Sequence, residues 1–145
     1  MEDYVTYEQA VRLKELGFNW ETHAFYNKEC ELYSSDNPDY WNDEIWNDEI
    51  WNDISAPTLA QAQKWLRNIH GVSIEVICTV VDKCWMYQLY HTTENNFGLP
   101  IVIDRKNVKG IGYDTYEEAL SAGIDKVLEF SNKLIRYGMD IHRRI

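Results

Sequence analysis

A chain of 145 residues with 45% hydrophobic and 26% charged side chains is long and apolar enough for a packed core, so general disorder is excluded. No apolar run approaches the ~18 residues that span a bilayer, and the acidic start Met1-Glu2-Asp3-Tyr4 lacks the basic and apolar regions of a secretory leader. The net charge of −10 lies wholly in the first part of the chain: residues 1–55 hold 14 acids and 3 bases, whereas residues 56–145 are nearly balanced.

Three segments open alike: Thr6-Tyr-Glu-Gln-Ala10, Thr58-Leu-Ala-Gln-Ala62 and Thr115-Tyr-Glu-Glu-Ala119. In each, a Thr is followed three residues on by Glu or Gln, the pattern of a capping box that satisfies amides of a first helical turn. The first helix is expected over Tyr7–Leu16, closed by Gly17 with Phe18 as the hydrophobic contact beyond it. Thr22–Tyr26 and Glu29–Tyr33 then read as a short hairpin about Asn27-Lys28. The second helix is expected over Leu59–His70, with Ala62, Trp65, Leu66 and Ile69 on one face and Gly71 as its stop.

Strand material follows. Val72–Val81 is β-branched, Cys84–Tyr90 alternates, and Asp82-Lys83 between them reads as a two-residue hairpin turn. A further strand is expected within 99–113, over either Ile101–Ile103 or Val108–Tyr113. The third helix has the clearest periodicity: Tyr116, Leu120, Ile124, Val127, Leu128, Leu134 and Ile135 recur at helical spacing, which predicts a helix over Tyr116–Arg136 that ends before Gly138. Helices and strands do not alternate strictly, so the predicted class is α+β. The expected architecture is one domain over residues 1–145, an antiparallel sheet of about 3–5 strands with three helices, the long C-terminal one packed on the sheet.

An acidic, Trp-rich insert interrupts this pattern at about 36–54. Trp41-Asn-Asp-Glu-Ile45, Trp46-Asn-Asp-Glu-Ile50 and Trp51-Asn-Asp-Ile54 form a tandem five-residue repeat. Five matches neither the helical nor the strand period, and on a helix successive Trp would step about 140° around the axis. One reading is a local duplication that lengthens a surface loop. The other is a display surface: Trp41, Trp46 and Trp51 as anchors, with Asp43, Glu44, Asp48, Glu49 and Asp53 addressed to basic groups. Residues 29–53 carry nine carboxylates and no Lys or Arg. Such a surface repels nucleic acid and membrane phosphate and attracts a basic protein.

Motifs of catalysis are sparse. His23, His70, His91 and His142 show no zinc-motif spacing, and the Asp positions of the insert lack the spacing and Gly of an EF-hand loop. Cys30, Cys78 and Cys84 lack C-x-x-C spacing, and a two-residue turn would put Cys84 opposite Val81 and Cys78 opposite Tyr87, out of register for a disulfide. Gly110-Ile-Gly112 lacks the third glycine of a dinucleotide fingerprint, and Thr115 is already a helix cap. Trp85, Tyr87 and Leu89 read as core packing, because no Lys or Arg cluster accompanies them as it does on RNA-binding sheets.

The blocks Thr6-Tyr-Glu-Gln-Ala-Val-Arg-Leu-Lys-Glu-Leu-Gly-Phe18, Ser55-Ala-Pro-Thr-Leu-Ala-Gln-Ala-Gln-Lys-Trp-Leu-Arg67 and Tyr113-Asp-Thr-Tyr-Glu-Glu-Ala-Leu-Ser-Ala-Gly-Ile-Asp125 resemble a family of small uncharacterised proteins found in gut Bacteroides genomes and their phages and prophages. The resemblance implies an accessory product of a mobile element, a class that includes inhibitors of host defence. It carries over no catalytic residue.

The combined expectation is a cytoplasmic, non-enzymatic interaction factor that acts as an acidic inhibitor or decoy of a basic protein, without cofactor, metal, nucleic acid or membrane. Two alternatives remain: a small-ligand-binding domain or enzyme, and a structural subunit that associates with itself.

Overall fold

The structure, a computed structural model, describes residues 3–43, 52–101 and 112–142, with side chains through Phe130. The elements follow the order α1 (Tyr7–Glu15), β1 (Thr22–Tyr26), β2 (Leu32–Asp39), β3 (Ile54–Ala56), α2 (Leu59–His70), β4 (Val72–Thr79), β5 (Cys84–His91) and α3 (Tyr116–His142). The class is α+β, with two antiparallel sheets in the orders β2-β1-β3 and β4-β5. The chain divides into two compact units, Met1–Thr58 with Leu128–Ile145, and Leu59–Val127. Among the described residues, no helix is long and apolar enough to cross a membrane.

In the first unit, α1 begins at the expected capping box. The Gln9 N–H donates to Thr6 Oγ1 at 3.2 Å, and the Thr6 N–H donates to Gln9 Oε1 at 2.9 Å. Its end is a Schellman turn: Gly17 takes a φ of +94°, its N–H donates to the Lys14 carbonyl, and the Phe18 N–H donates to the Leu13 carbonyl. The helix lies along β3. Ala10, Leu13, Phe18, Ala24, Tyr26, Ile54 and Ala56 are buried. The Tyr26 hydroxyl donates to the Val5 carbonyl at 2.7 Å, so its one polar atom is satisfied inside.

The first hairpin keeps its predicted first strand but has a longer turn than Asn27-Lys28 alone. The Asn27 side-chain oxygen accepts from the Glu29 and Glu31 N–H groups, and Cys30 takes a φ of +63°. This side-chain-organised loop moves the start of the second strand from Glu29 to Leu32, and β2 runs on to Asp39, into the segment expected to be insert. Strand β3, three residues long, was not expected; it pairs with β1 through Ile54, Ser55 and Ala56.

In the second unit, α2 occupies its predicted span and packs on β4. Ala62, Trp65 and Leu66 are buried as expected, whereas Ile69, in the last turn, is 58% exposed. The β4–β5 hairpin differs from the predicted register. Thr79 pairs with Cys84 and Cys78 with Trp85, so the turn spans Val80–Lys83 rather than Asp82-Lys83. Lys83 holds a φ of +49°, which a longer turn accommodates, while Val80 and Val81 lie in solvent instead of extending the strand.

One face of this hairpin carries Ile74, Leu89 and Tyr87, and α3 packs against it: a Cβ at Gly123 would stand 2.7 Å from Ile74 Cγ2. The Trp85 ring meets the Tyr116 ring edge-on at 5.6 Å, which places Trp85 in the packing role expected of it. Thr115 caps α3 by accepting from the Glu118 N–H, and the helix continues through Gly138 to His142 instead of stopping short. Of the strand expected in 99–113, Pro100 bridges Tyr90 and Tyr113 bridges Trp85; residues 102–111 lie outside the described residues.

Candidate functional site

The second face of the three-stranded sheet is built by strand alternation. Phe25 points away from the α1 side, opposite Tyr33 on β2 and Ser55 on β3. The Phe25 and Tyr33 rings stack at 5.9 Å with 22° between planes, and Trp41 lies over Phe25 at 4.3 Å. Trp41 is pinned by donation from its indole N–H to the Thr22 carbonyl at 2.8 Å. Asn42 closes the turn on both sides: its amide N–H donates to the Phe18 carbonyl, and its oxygen accepts from the Ser55 N–H. The first repeat thus begins as a clamp on the sheet.

Glu29 and Glu31 sit in the exposed loop before Tyr33, and Asp43 follows Asn42 in solvent, whereas Asp39 pairs with Thr22 and so stands on the α1 side of the sheet. Glu31 accepts from the Tyr33 hydroxyl at 2.9 Å and thereby pushes the phenol's pKa above its ordinary value. Tyr33 and Tyr40 remain about half exposed, at 47% and 51%.

Of the residues singled out from sequence, Trp41, Asp43 and Asp53 fall within the described residues. Trp41 is half-buried on Phe25, Asp43 is exposed, and Asp53 is half-buried just before β3. Glu44, Trp46, Asp48, Glu49 and Trp51 lie outside the described residues. Phe25, Tyr33 and Glu31 escaped the sequence reading, because only the cross-strand register brings them together.

Burial pushes the Asp53 carboxyl above its ordinary value. The unfolded chain therefore ionises first as pH rises, and the folded state loses stability across a window that opens near 3.8. Asp53→Asn is expected to raise the urea midpoint at pH 7 and to have no effect on it at pH 2.5. An equal gain at both values would show that the carboxylate's charge is not the cause.

Among the described residues, no group of three His, Cys, Asp or Glu side chains is placed to hold a metal ion. The three cysteines are free thiols; Cys84 Sγ lies 3.2 Å from Thr79 Oγ1 and packs where Gly112 has no Cβ. No protein-family model, curated protein or solved structure matches the chain.

Proposed function

We propose that this chain is a non-enzymatic interaction factor whose first unit captures a basic protein on the acidic aromatic face of β1 and β2. The observation that carries this reading is the stack Phe25–Tyr33–Trp41 with Glu31 hydrogen-bonded to Tyr33, and with Glu29 and Asp43 exposed within two residues of Glu31 and Trp41 in the chain. Guanidinium and ammonium groups are bound by that combination: ring faces attract a cation through their quadrupole, and the carboxylates supply charge-assisted hydrogen bonds. The resemblance to small proteins of gut Bacteroides and their phages agrees with an accessory binding role, including inhibition by an acidic decoy.

The test is titration of the full chain with an arginine-rich peptide and with a glutamate-rich control, over a series of salt concentrations. The arginine-rich peptide is expected to bind, more weakly as salt screens the charges. Glu29→Gln, Glu31→Gln and Asp43→Asn together are expected to weaken it by about tenfold or more and flatten the salt dependence. Tyr33→Ala is expected to weaken it roughly fivefold through the lost ring face, with the salt dependence retained. Unchanged binding by the triple variant would defeat the proposal.

A further inference from the structure

The free edge of β4 is the second feature with a definite complement. In the β4–β5 pair, Trp85 exchanges both backbone hydrogen bonds with Tyr113 at 2.8 Å, and the Leu89 carbonyl accepts from the Ile101 N–H. Trp85 and Leu89 therefore direct their backbone groups away from β4, so their partners Cys78 and Ile74 direct theirs away from β5. By the same alternation Val76 faces outward. The Ile74 carbonyl is taken by the Gln63 amide at 2.7 Å. Among the described residues, nothing pairs with the N–H and C=O groups of Val76 and Cys78.

The free stretch is bounded by Gln63 at one end and by the turn at Val80 at the other, which leaves residues 75–79 with Ile77 at the centre. From Val76 to Val81 there is no charge and no proline, the usual devices that protect an edge. Ile77 is 43% exposed on the face opposite α3.

We propose that this edge pairs with the same edge of a second copy, antiparallel about a two-fold axis at Ile77. Val76 N–H then donates to the carbonyl of the partner's Cys78, the N–H of the partner's Cys78 donates back to Val76, and the symmetry repeats both bonds. All four free groups of each copy are used. Ile77 meets the partner's Ile77, and Glu75 faces the partner's Thr79, so no like charges oppose. With Glu75 as its one charge, this edge is also where two copies of a chain of net charge −10 approach with little repulsion. The outer edge of β5 is already held by residues 99–101 and Tyr113, so pairing stops at a closed dimer.

Sedimentation of the full chain over a concentration series is expected to show a monomer–dimer equilibrium. Val76→Pro removes the donor that faces the partner and leaves the bonds to β5 intact; it is expected to raise the dimer dissociation constant at least roughly 30-fold. Ile77→Lys opposes two ammonium groups and is expected to abolish the dimer, with circular dichroism and urea midpoint checking that each variant is folded. In a chain with Cys30, Cys78 and Cys84 changed to Ser, Ile77→Cys is expected to form an interchain disulfide under mild oxidation, since directly opposed residues of a non-hydrogen-bonded pair lie about 4.5 Å apart at Cα. Val81→Cys in the same background is expected to remain reduced. A parent that stays monomeric at every concentration, or a dimer that folded Ile77→Lys leaves intact, overturns the proposal.

Discussion

Trp65→Ala is expected to lower the unfolding free energy by about 3–5 kcal/mol. Trp65 is 1% exposed, the largest fully buried side chain among the described residues, and lies on the face of α2 that also buries Ala62 and Leu66. Its ring meets that of His70, five residues further along the helix, edge-on at 4.7 Å. Deleting the indole removes its transfer free energy and leaves a cavity that the helix–sheet packing cannot fill by a small shift. Domains are stable by only about 5–15 kcal/mol, so about a fifth of the total or more is at stake. Two comparisons separate packing from helix chemistry. Trp65→Phe keeps most of the volume and is expected to cost less than half as much. Ile69→Ala, on a residue 58% exposed, is expected to stay within about 0.5 kcal/mol of the parent. Urea denaturation followed by far-ultraviolet circular dichroism measures all three without relying on the fluorophore that is removed. A cost below about 1 kcal/mol for Trp65→Ala would show that the α2 face contributes little to stability.

Gly123 gives the second large effect, of opposite origin. In an exposed helix interior, Gly→Ala stabilises by about 1 kcal/mol. Here an added Cβ meets Ile74 Cγ2 at 2.7 Å, Tyr87 Cγ at 3.2 Å and Tyr87 Cβ at 3.4 Å. Ile74 is 1% exposed and branched at Cβ, so its methyl has nowhere to retreat. Overpacking of about 1–3 kcal/mol outweighs the gain in helix propensity. Gly123→Ala is therefore expected to destabilise, and Gly123→Val to destabilise by about 3 kcal/mol. Ile74→Leu removes the offending methyl while keeping the volume, so it is expected to recover much of the loss in Gly123→Ala. A double-mutant cycle reads that recovery as a coupling of about 1 kcal/mol. Additive effects would mean that the contact with Ile74 is not what makes glycine necessary.

Local signals were legible in the sequence because they act within a few residues. Thr6 and Gln9 identified a helix start, Gly17 and Phe18 its end, and the apolar spacing from Leu120 to Leu128 the buried side of α3. Loop geometry was less legible. Asn27 and Cys30 lengthen the first turn through a side-chain hydrogen-bond pattern, and Lys83 reaches a left-handed conformation in a turn of four residues. Neither has a composition that differs from a shorter turn. Strand β3 is too short to show a period at all, and it forms because Ala56, Ser55 and Ile54 find Ala24, Phe25 and Tyr26 across the sheet.

The candidate site divides along the same line. The excess of carboxylates in residues 29–53 is a property of composition, and the sequence by itself determined it. Which aromatics those carboxylates accompany is a property of register: Phe25 meets Tyr33 across β1–β2, and Trp41 folds back through its own hydrogen bond to Thr22. The helices, their caps and the charge asymmetry thus follow from short-range chemistry along the chain. The division of the strands between two sheets, the aromatic shelf and the free edge of β4 depend on pairings between residues distant in sequence, whose backbone hydrogen bonds carry no signature in the side chains that flank them.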